Sequence, residues 1–513
     1  EEMAAFFPML FLTAAGLASY VMISRLLHAQ RPHIGVMLAN GIRKRKVLRH
    51  YLAYGVLPGL LAAIPAAIVG ALVARVITRL YTGILAIPVT LVEIHPANAV
   101  GGVMFGVGAA FLAALAPALV AARIRPAEAM RGETPTGGGK ASVLERLIPP
   151  LRRLPIRWRM AFRGIERNPR RTLYTILGVV LSLMLVLVSW GMIDTVNHLL
   201  NTQFQEIQQE DAVGYFAGPA GQADIAALME VEGVASVEPS SEVPVGLRAG
   251  DGQYDTALIS LPAGTELHRF LSPDGEWLEL SDSGLLVGES VGDLLGVEVG
   301  DELELLIPAL GFSLTEEIAG FLNEPLGTLA YISSERASQL VGAELPATSA
   351  LIQYEDGVVG SDIRPAVTDL ASVAAFNDSN ALYDTAQQFM VMFYAFVGVM
   401  LAFGGAMAFA LIFNAMSVNI AERRREVATL LAVGTERRTI SRLITTENLI
   451  VAIIGIPIGL VAGFYLSSMA MGTFSSDMFK FDLYVQPMTF VWSSVAIIVV
   501  ALVSQIPGLR AVR

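Results

Sequence analysis

The chain contains one charged string twice. HIGVMLANG, from His33 to Gly41, and EVATLLAVG, from Glu426 to Gly434, each follow arginine and lead into a cationic cluster. They lie 434 − 41 = 393 residues apart, and at that offset Arg31 falls on Arg424, Ala39 on Ala432, Arg45 on Arg438, Arg49 on Arg442 and Gly70 on Gly463. After a three-residue gap Pro117 meets Pro507 and Arg123 meets Arg513. A match of this extent covers whole apolar modules, so the chain is expected to hold two copies of one unit, each built around a charged loop.

Hydropathy decides which solvent that unit faces. Apolar residues make up 54% of the chain, the mean hydropathy is +0.58, and the long uncharged runs exceed what a soluble core needs. Runs of about 20 or more apolar residues predict membrane helices near 5–27, 47–80, 98–121, 172–193, 388–419, 441–471 and 488–509. The stretch from Asp194 to Asp384 has no such run. It alternates polar and apolar residues and carries turn-forming Gly, Pro and Asp, as a water-exposed domain does. The expected fold class is a polytopic α-helical membrane protein, with about seven transmembrane helices and one large α+β extracytoplasmic domain.

Charge sets the orientation. Between Asp194 and Asp384 there are 33 acidic residues and four basic ones, Arg248, Arg269, Arg336 and Arg364. The rest of the chain holds 46 − 33 = 13 acidic and 35 − 4 = 31 basic residues. The basic residues concentrate in the loops 28–50 and 420–442 and the connector 122–171, which the positive-inside rule places in the cytoplasm. The acidic domain then faces outward, and its charge argues against a nucleic-acid partner.

The expected organisation follows. Residues 1–127 form the first membrane module, 128–157 a cytoplasmic linker, and 158–193 an amphipathic segment with the first helix of the second module. The acidic outer domain spans 194–387, and 388–513 is the membrane core of the second module. Glu1 matches Tyr394, inside a helix of the later module, which predicts a leading helix of the first module upstream. Likewise IRPAEAMRG runs on past Arg123 whereas its counterpart stops at Arg513, so the parent protein is expected to continue.

Candidate chemistry is sparse. Without cysteine there is no disulfide, thiolate metal site or thiol nucleophile. The six histidines show no metal-ligand spacing, and surface or interfacial positions are expected for each. Asp293, Asp301 and Glu302 fit turn and strand-edge roles better than a calcium loop. PTGGGKAS, Pro135–Ser142, imitates a phosphate loop but has Thr134 where a glycine is required and Ala141 after Lys140, so it reads as a flexible linker. No other nucleotide-binding loop occurs, and no cofactor is expected on this chain.

The remaining features concern lipid and packing. Trp158–Arg171 reads as a basic amphipathic segment, with Trp158 and its apolar neighbours in lipid and Arg163, Arg167, Arg170 and Arg171 on anionic headgroups. Gly455, Gly459 and Gly463 form a small-residue ladder for close helix approach, as do Gly102 and Gly106. Glu447 and Asn448 are expected to snorkel at the cytoplasmic interface.

AERRREVATLLAVGTERRTISRLITTENL in the cytoplasmic loop, AFRGIERNPRRTLYTILGVVLS leading into a helix, and PALVAARIRPAEAMRG leaving one resemble FtsX-like permeases, the membrane subunits of MacB-type ABC transporters. GLLVGESVGDLLGVEVGDELELL resembles that family's periplasmic core domain. The resemblance implies that the duplicated loop is a coupling helix seated in an ABC ATPase dimer of separate chains, which would bind ATP and Mg. The positions it implicates are Arg424, Glu426, Thr429, Ala432 and Gly434, and in the first copy His33, Met37, Ala39 and Gly41. His33 stands where the family has an acidic residue, which implies unequal contacts by the two halves. The bland alternative is that the arginines only set topology. The family function implied is ATP-driven export or extraction of a hydrophobic or amphiphilic substrate such as a lipid, lipoprotein or peptide, with an extracytoplasmic adaptor as a further partner. Its alternative is a mechanical signal to an outer partner such as a cell-wall hydrolase.

Overall fold

The computed structural model describes residues 2–84, 96–127, 156–167, 169–308, 312–324, 328–422, 424–474 and 482–506. Pro135–Ser142, Asn168, Arg423 and Arg513 lie outside the described residues. The chain divides into two units. Glu1–Ile193, Met392–Thr473 and Val485–Arg513 make the first, Asp194–Val391 and Phe474–Tyr484 the second.

In the first module α1 spans Glu2–Ala29, a short α2 Arg31–Ala39, α3 Lys44–Ile84 and α4 Pro96–Arg123. At 41 residues α3 is longer than its apolar run, because the basic stretch that opens it contains no helix breaker and Pro58 and Pro65 do not end it. Helices α3 and α4 touch at Gly55 and Gly59, where a Cβ would come within 2.5 Å of Ala114 and 2.7 Å of Ala110. Gly102 and Gly106 do not serve the close approach expected of them: neither has a neighbour within 4 Å. The buried residues of α4 run from Ala113 to Ala122, in its C-terminal half, and the two glycines precede them.

Helix α5, Ile156–Arg167, leads to α6, Pro169–Asn201, with the break at Asn168–Pro169 bridged by Thr172 Oγ1 donating to the Ile165 carbonyl at 3.0 Å. The apolar side of α5 does not simply enter lipid. Ala161 and Ile165, four residues apart on one face of the helix, are buried against Ile450 and Val451, with Trp158 and Phe162 beside them. Helix α6 ends in a π-helical turn, Thr202–Ile207.

The outer domain is a split βαβ sheet carrying an inserted barrel. It begins with β1 (Ala212–Ala220), α7 (Gln222–Met229) and β2 (Val234–Ala249). The insertion comprises β3 (Gly252–Leu261), β4 (Phe270–Leu271), β5 (Trp277–Leu278), β6 (Leu285–Gly288), α8 (Glu289–Leu295), β7 (Glu302–Ile307), β8 (Phe312–Leu322), β9 (Ala330–Ser333) and α9 (Ser334–Val341). The chain then closes the first sheet with β10 (Ala347–Tyr354), α10 (Gly360–Thr368) and β11 (Val373–Asp378).

Strand order is β11-β1-β10-β2-β3-β9-β6-β8-β7, and β2 also pairs with β7, so six strands close on themselves. The length of β2 permits this. Val234–Ser240 pairs with β10, Ser241–Ala249 with β3, and Gly246–Arg248 with β7 as well. ELELLI in β7 alternates as a barrel strand requires, turning Leu303, Leu305 and Ile307 inward. Gly300, at φ 96°, makes the preceding turn, which Asp301 closes by accepting the Glu298 N–H at 2.8 Å.

The second module continues with α11 (Ser379–Glu422), α12 (Arg424–Ala432), α13 (Arg437–Phe474) and α14 (Pro487–Ser504). Helix α11 starts well before its apolar run because Asp378 Oδ1 caps it, accepting the Ala381 N–H at 2.7 Å. The outer unit also takes in Phe474–Tyr484, which the sequence reading assigns to the membrane core. There the Tyr484 N–H donates to Thr195 Oγ1 at 3.1 Å, and His198 stacks on Tyr484 at 3.9 Å. Seven helices among the described residues are long and apolar enough to cross a membrane: α1, α3, α4, α6, α11, α13 and α14.

Candidate functional site

The duplicated string folds into the same object twice. Helices α2 and α12 are each nine residues long and each ends at a glycine in the left-handed region, Gly41 at φ 80° and Gly434 at φ 89°. The caps agree bond for bond. Gly41 N–H donates to Leu38 O and Ile42 N–H to Met37 O; Gly434 N–H donates to Leu431 O and Thr435 N–H to Leu430 O, all between 3.0 and 3.2 Å. These bonds satisfy carbonyls that a helix end leaves open, and only glycine reaches the required φ without strain.

The same face is anchored in both copies. Ile34, Val47 and Tyr51 are buried together in the first module, and their counterparts at the 393-residue offset, Val427, Ile440 and Ile444, are buried together in the second. Anchoring the inward face of each short helix on the base of the following long one leaves the other face outward. His33, Ala39, Gly41, Thr429, Ala432 and Gly434 are exposed and Met37 half-buried. Arg424 and Glu426 lie in α12, but their side chains fall outside the described residues. The result is a pair of short rigid helices that present small and polar side chains, with lysine and arginine following in the next turn of the chain.

Of the membrane-surface residues, Trp158 is half-buried and Arg163 exposed, while the side chains of Arg167, Arg170 and Arg171 fall outside the described residues. Gly455, Gly459 and Gly463 face α6. A Cβ on each would lie 2.9 Å from Val179, 3.0 Å from Leu183 and 2.9 Å from Leu187 in turn.

Two groups escaped the sequence reading. Glu447 and Asn448 do not snorkel outward: both are buried within the protein, and Asn448 Nδ2 donates to Gln505 Oε1 at 3.2 Å. His268 is likewise buried rather than at the surface, inside the outer domain. Its Nε2 lies 3.5 Å from Glu324 Oε1, and the Tyr331 hydroxyl donates to Glu324 Oε2 at 2.9 Å. Burial pushes Glu210, close by, up to about 7, with His268 opposing. Burial lowers His268, but its hydrogen bond to Glu324 and the charges of Glu324, Glu210 and Glu238 raise it overall. Residues so far apart in sequence come together only through the sheet, so no local pattern announces them. Among the described residues no three His, Asp or Glu side chains are grouped to hold a metal ion.

The family profile described as FtsX-like permease C-terminal matches residues 5–126 and 388–513. An uncharacterized ABC transporter permease protein of Mycobacterium tuberculosis is 24% identical over 200 residues, covering 37% of this chain and 22% of that protein. The chain therefore spans about a fifth of that relative. Among solved structures, the periplasmic region of MacB from Actinobacillus actinomycetemcomitans aligns with 34% of this chain and 91% of its own length, at 10% identity and a TM-score of 0.25. The extracellular domain of the ABC-type transporter YknZ from Gram-positive bacteria aligns with 33% of this chain and 98% of its own, at 14% identity and a TM-score of 0.23.

Proposed function

Both membrane modules of this chain belong to the FtsX-like permease family, and from that premise we propose that it is the non-catalytic membrane subunit of an ABC transporter driven by a separate ATPase dimer. The observation that carries the reading is the likeness of the two short helices: same length, same cap bonds, same buried anchors. A two-fold ATPase needs two equivalent docking elements on one membrane unit, and a duplicated rigid helix supplies them.

In this reading ATP and Mg bind to the partner, its two halves close, and α2 and α12 follow. Helices α1 and α11, which precede them in the chain, tilt with them, and α11 relays the tilt to the outer domain from which it starts. The stroke exports or extracts a hydrophobic or amphiphilic substrate, such as a lipid, lipoprotein or peptide, on the outer side. The second reading keeps the stroke and drops the transport, so that the outer domain activates an extracytoplasmic partner such as a hydrolase. The presence of two modules in one chain favours transport.

The test is affinity purification of the full-length protein from native membranes, with mass spectrometry and an ATPase assay. A Walker-containing ATPase should co-purify, and Glu426→Lys combined with Gly41→Trp should release it while membrane insertion is unchanged. Retention of the ATPase by the inserted double variant would refute the docking assignment. Lipid or lipoprotein in the preparation supports transport; a hydrolase supports signalling.

A further inference from the structure

The two docking helices share a backbone and differ in what they expose. At the tip of α12, Val433 is 79% exposed, more than any other large apolar side chain among the described residues. It does not face lipid, because it lies in the loop 420–442 that the positive-inside rule places in the cytoplasm. At the repeat offset its counterpart on α2 is Asn40, also exposed. One turn earlier the exchange runs the other way: α2 exposes Val36 where α12 exposes Thr429. A pocket placed to take the valine of one tip therefore meets an amide in the other, and burying an amide in an apolar pocket is unfavourable.

Charge differs as well. Residues 31–49 carry six basic side chains and no acidic one, whereas the matching 424–442 carry five basic and two acidic. The contrast is sharpest just after the caps. Arg43, Lys44 and Lys46, all exposed, correspond to Glu436, Arg437 and Thr439. Cap bonds fix both tips: the Val433 N–H donates to Thr429 O at 3.1 Å and the Asn40 N–H to Val36 O at 3.0 Å. Side chains held on so rigid a backbone lose little freedom on docking.

We propose that the two helices grip the ATPase by unlike forces: α12 by Val433 seated in an apolar pocket of one subunit, α2 by the cations after Gly41 laid on an acidic surface of the other. The inference rests on the docking assignment proposed above and adds the chemistry of each contact. Apolar burial resists salt and sets how long the partner stays. Exposed charge pairs speed its arrival and weaken as salt screens them. The two grips are thus separable by ionic strength.

The test immobilises the full-length protein in nanodiscs, loads it with the ATPase that co-purifies from native membranes, and measures the ATPase retained after washing in about 0.1 M or about 1 M NaCl. Between those salts the screening length falls from about 10 Å to about 3 Å. Val433→Asn should keep much of the ATPase at low salt and about tenfold less than wild type at high salt, the loss expected for one buried valine. Arg43→Gln with Lys44→Gln and Lys46→Gln should retain the same fraction at both salts, while Arg45 and Arg49 remain to hold the topology. All four replaced side chains are exposed, so neither variant disturbs the core. Equal salt dependence in the two variants, or Val433→Asn indistinguishable from wild type, would overturn the unlike grips and leave the docking assignment intact. If no ATPase co-purifies with wild type, the docking assignment itself fails and this inference with it.

Discussion

Gly459 lies against Leu183 with no room for a side chain: a Cβ there would be 3.0 Å from Leu183 Cδ2 and 3.3 Å from the Val180 Cα. The relation repeats every four residues on both helices, with Gly455 against Val179 and Gly463 against Leu187. Lipid tails are as apolar as leucine, so helices in a membrane adhere by close packing rather than by the hydrophobic effect. The glycines of α13 set its distance from α6, and through α6 the two ends of the second module are held as one body.

Gly459→Leu should therefore destabilise the membrane unit by about 1–3 kcal/mol, the usual cost of overpacking. Gly472→Leu on the same helix meets nothing within 4 Å and should cost about 0.5 kcal/mol or less. Thermal midpoints of the two variants in one detergent compare them directly, and equal midpoints would refute the packing role.

The ladder, the repeat and the seven spans are legible in sequence because each is a local pattern: period four, a repeated string, a long apolar run. The orientation is legible because 33 acidic residues between Asp194 and Asp384 leave the arginines elsewhere. What escapes is whatever depends on pairing distant segments. Nothing near His268 foretells Glu324 beside it, 56 residues on, and nothing near Tyr484 foretells its bond to Thr195. Gly102 and Gly106 have the right spacing on the wrong part of their helix, since spacing permits an approach and only the neighbouring helix makes one. Both short helices were readable as to place, and the identity of their caps, down to the donor and acceptor, was not.

Gly41→Val and Gly434→Val should each strain the backbone by about 1–2 kcal/mol, because a β-branched residue resists the left-handed region. Nothing surrounds either glycine within 4 Å, so the penalty is conformational and not steric. The cap should open and the outward face of the preceding helix turn away from its partner. If the docking reading holds, each variant inserts normally and co-purifies with less ATPase; unchanged recovery from the double variant would count against it.

Gly360→Ala tests the start of α11. A Cβ at this position would sit 1.4 Å from Asp378 Oδ2, whose carboxylate also accepts the Tyr354 hydroxyl at 2.9 Å and the Ala381 N–H at 2.7 Å. Displacing it removes a helix cap, about 1 kcal/mol, and strands a buried hydroxyl, about 1–3 kcal/mol. Amide exchange over residues 379–384 should quicken in the variant while exchange in the barrel strands β3 and β7 keeps its wild-type rate.

The buried Glu210 makes the outer domain sensitive to pH in a direction that can be worked out. Its native value of about 7 lies above the ordinary 4.5, so between those limits the folded domain keeps a proton that the unfolded chain has released. Stability from this group is full below pH 4.5 and is lost as pH rises through about 7. At about 1.4 kcal/mol per pH unit that gap is worth about 3 kcal/mol. His268, whose value is also raised, acts in the same sense, present below 6.5 and lost above its native value. The neighbouring charges of Asp211, Glu238 and Glu324 keep both groups protonated or penalise their loss of a proton. Hydrogen exchange of the full chain in nanodiscs should therefore show strand β4 and the Thr202–Ile207 turn opening more readily at pH 8 than at pH 5. Glu210→Gln, which keeps the shape and cannot ionise, should remove most of the difference, and the remainder should disappear in Glu210→Gln with His268→Gln. A wild type equally protected at both pH values, or a Gln variant with the wild-type slope, would show that Glu210 is solvated in the folded protein and that the polar cluster is held by other means.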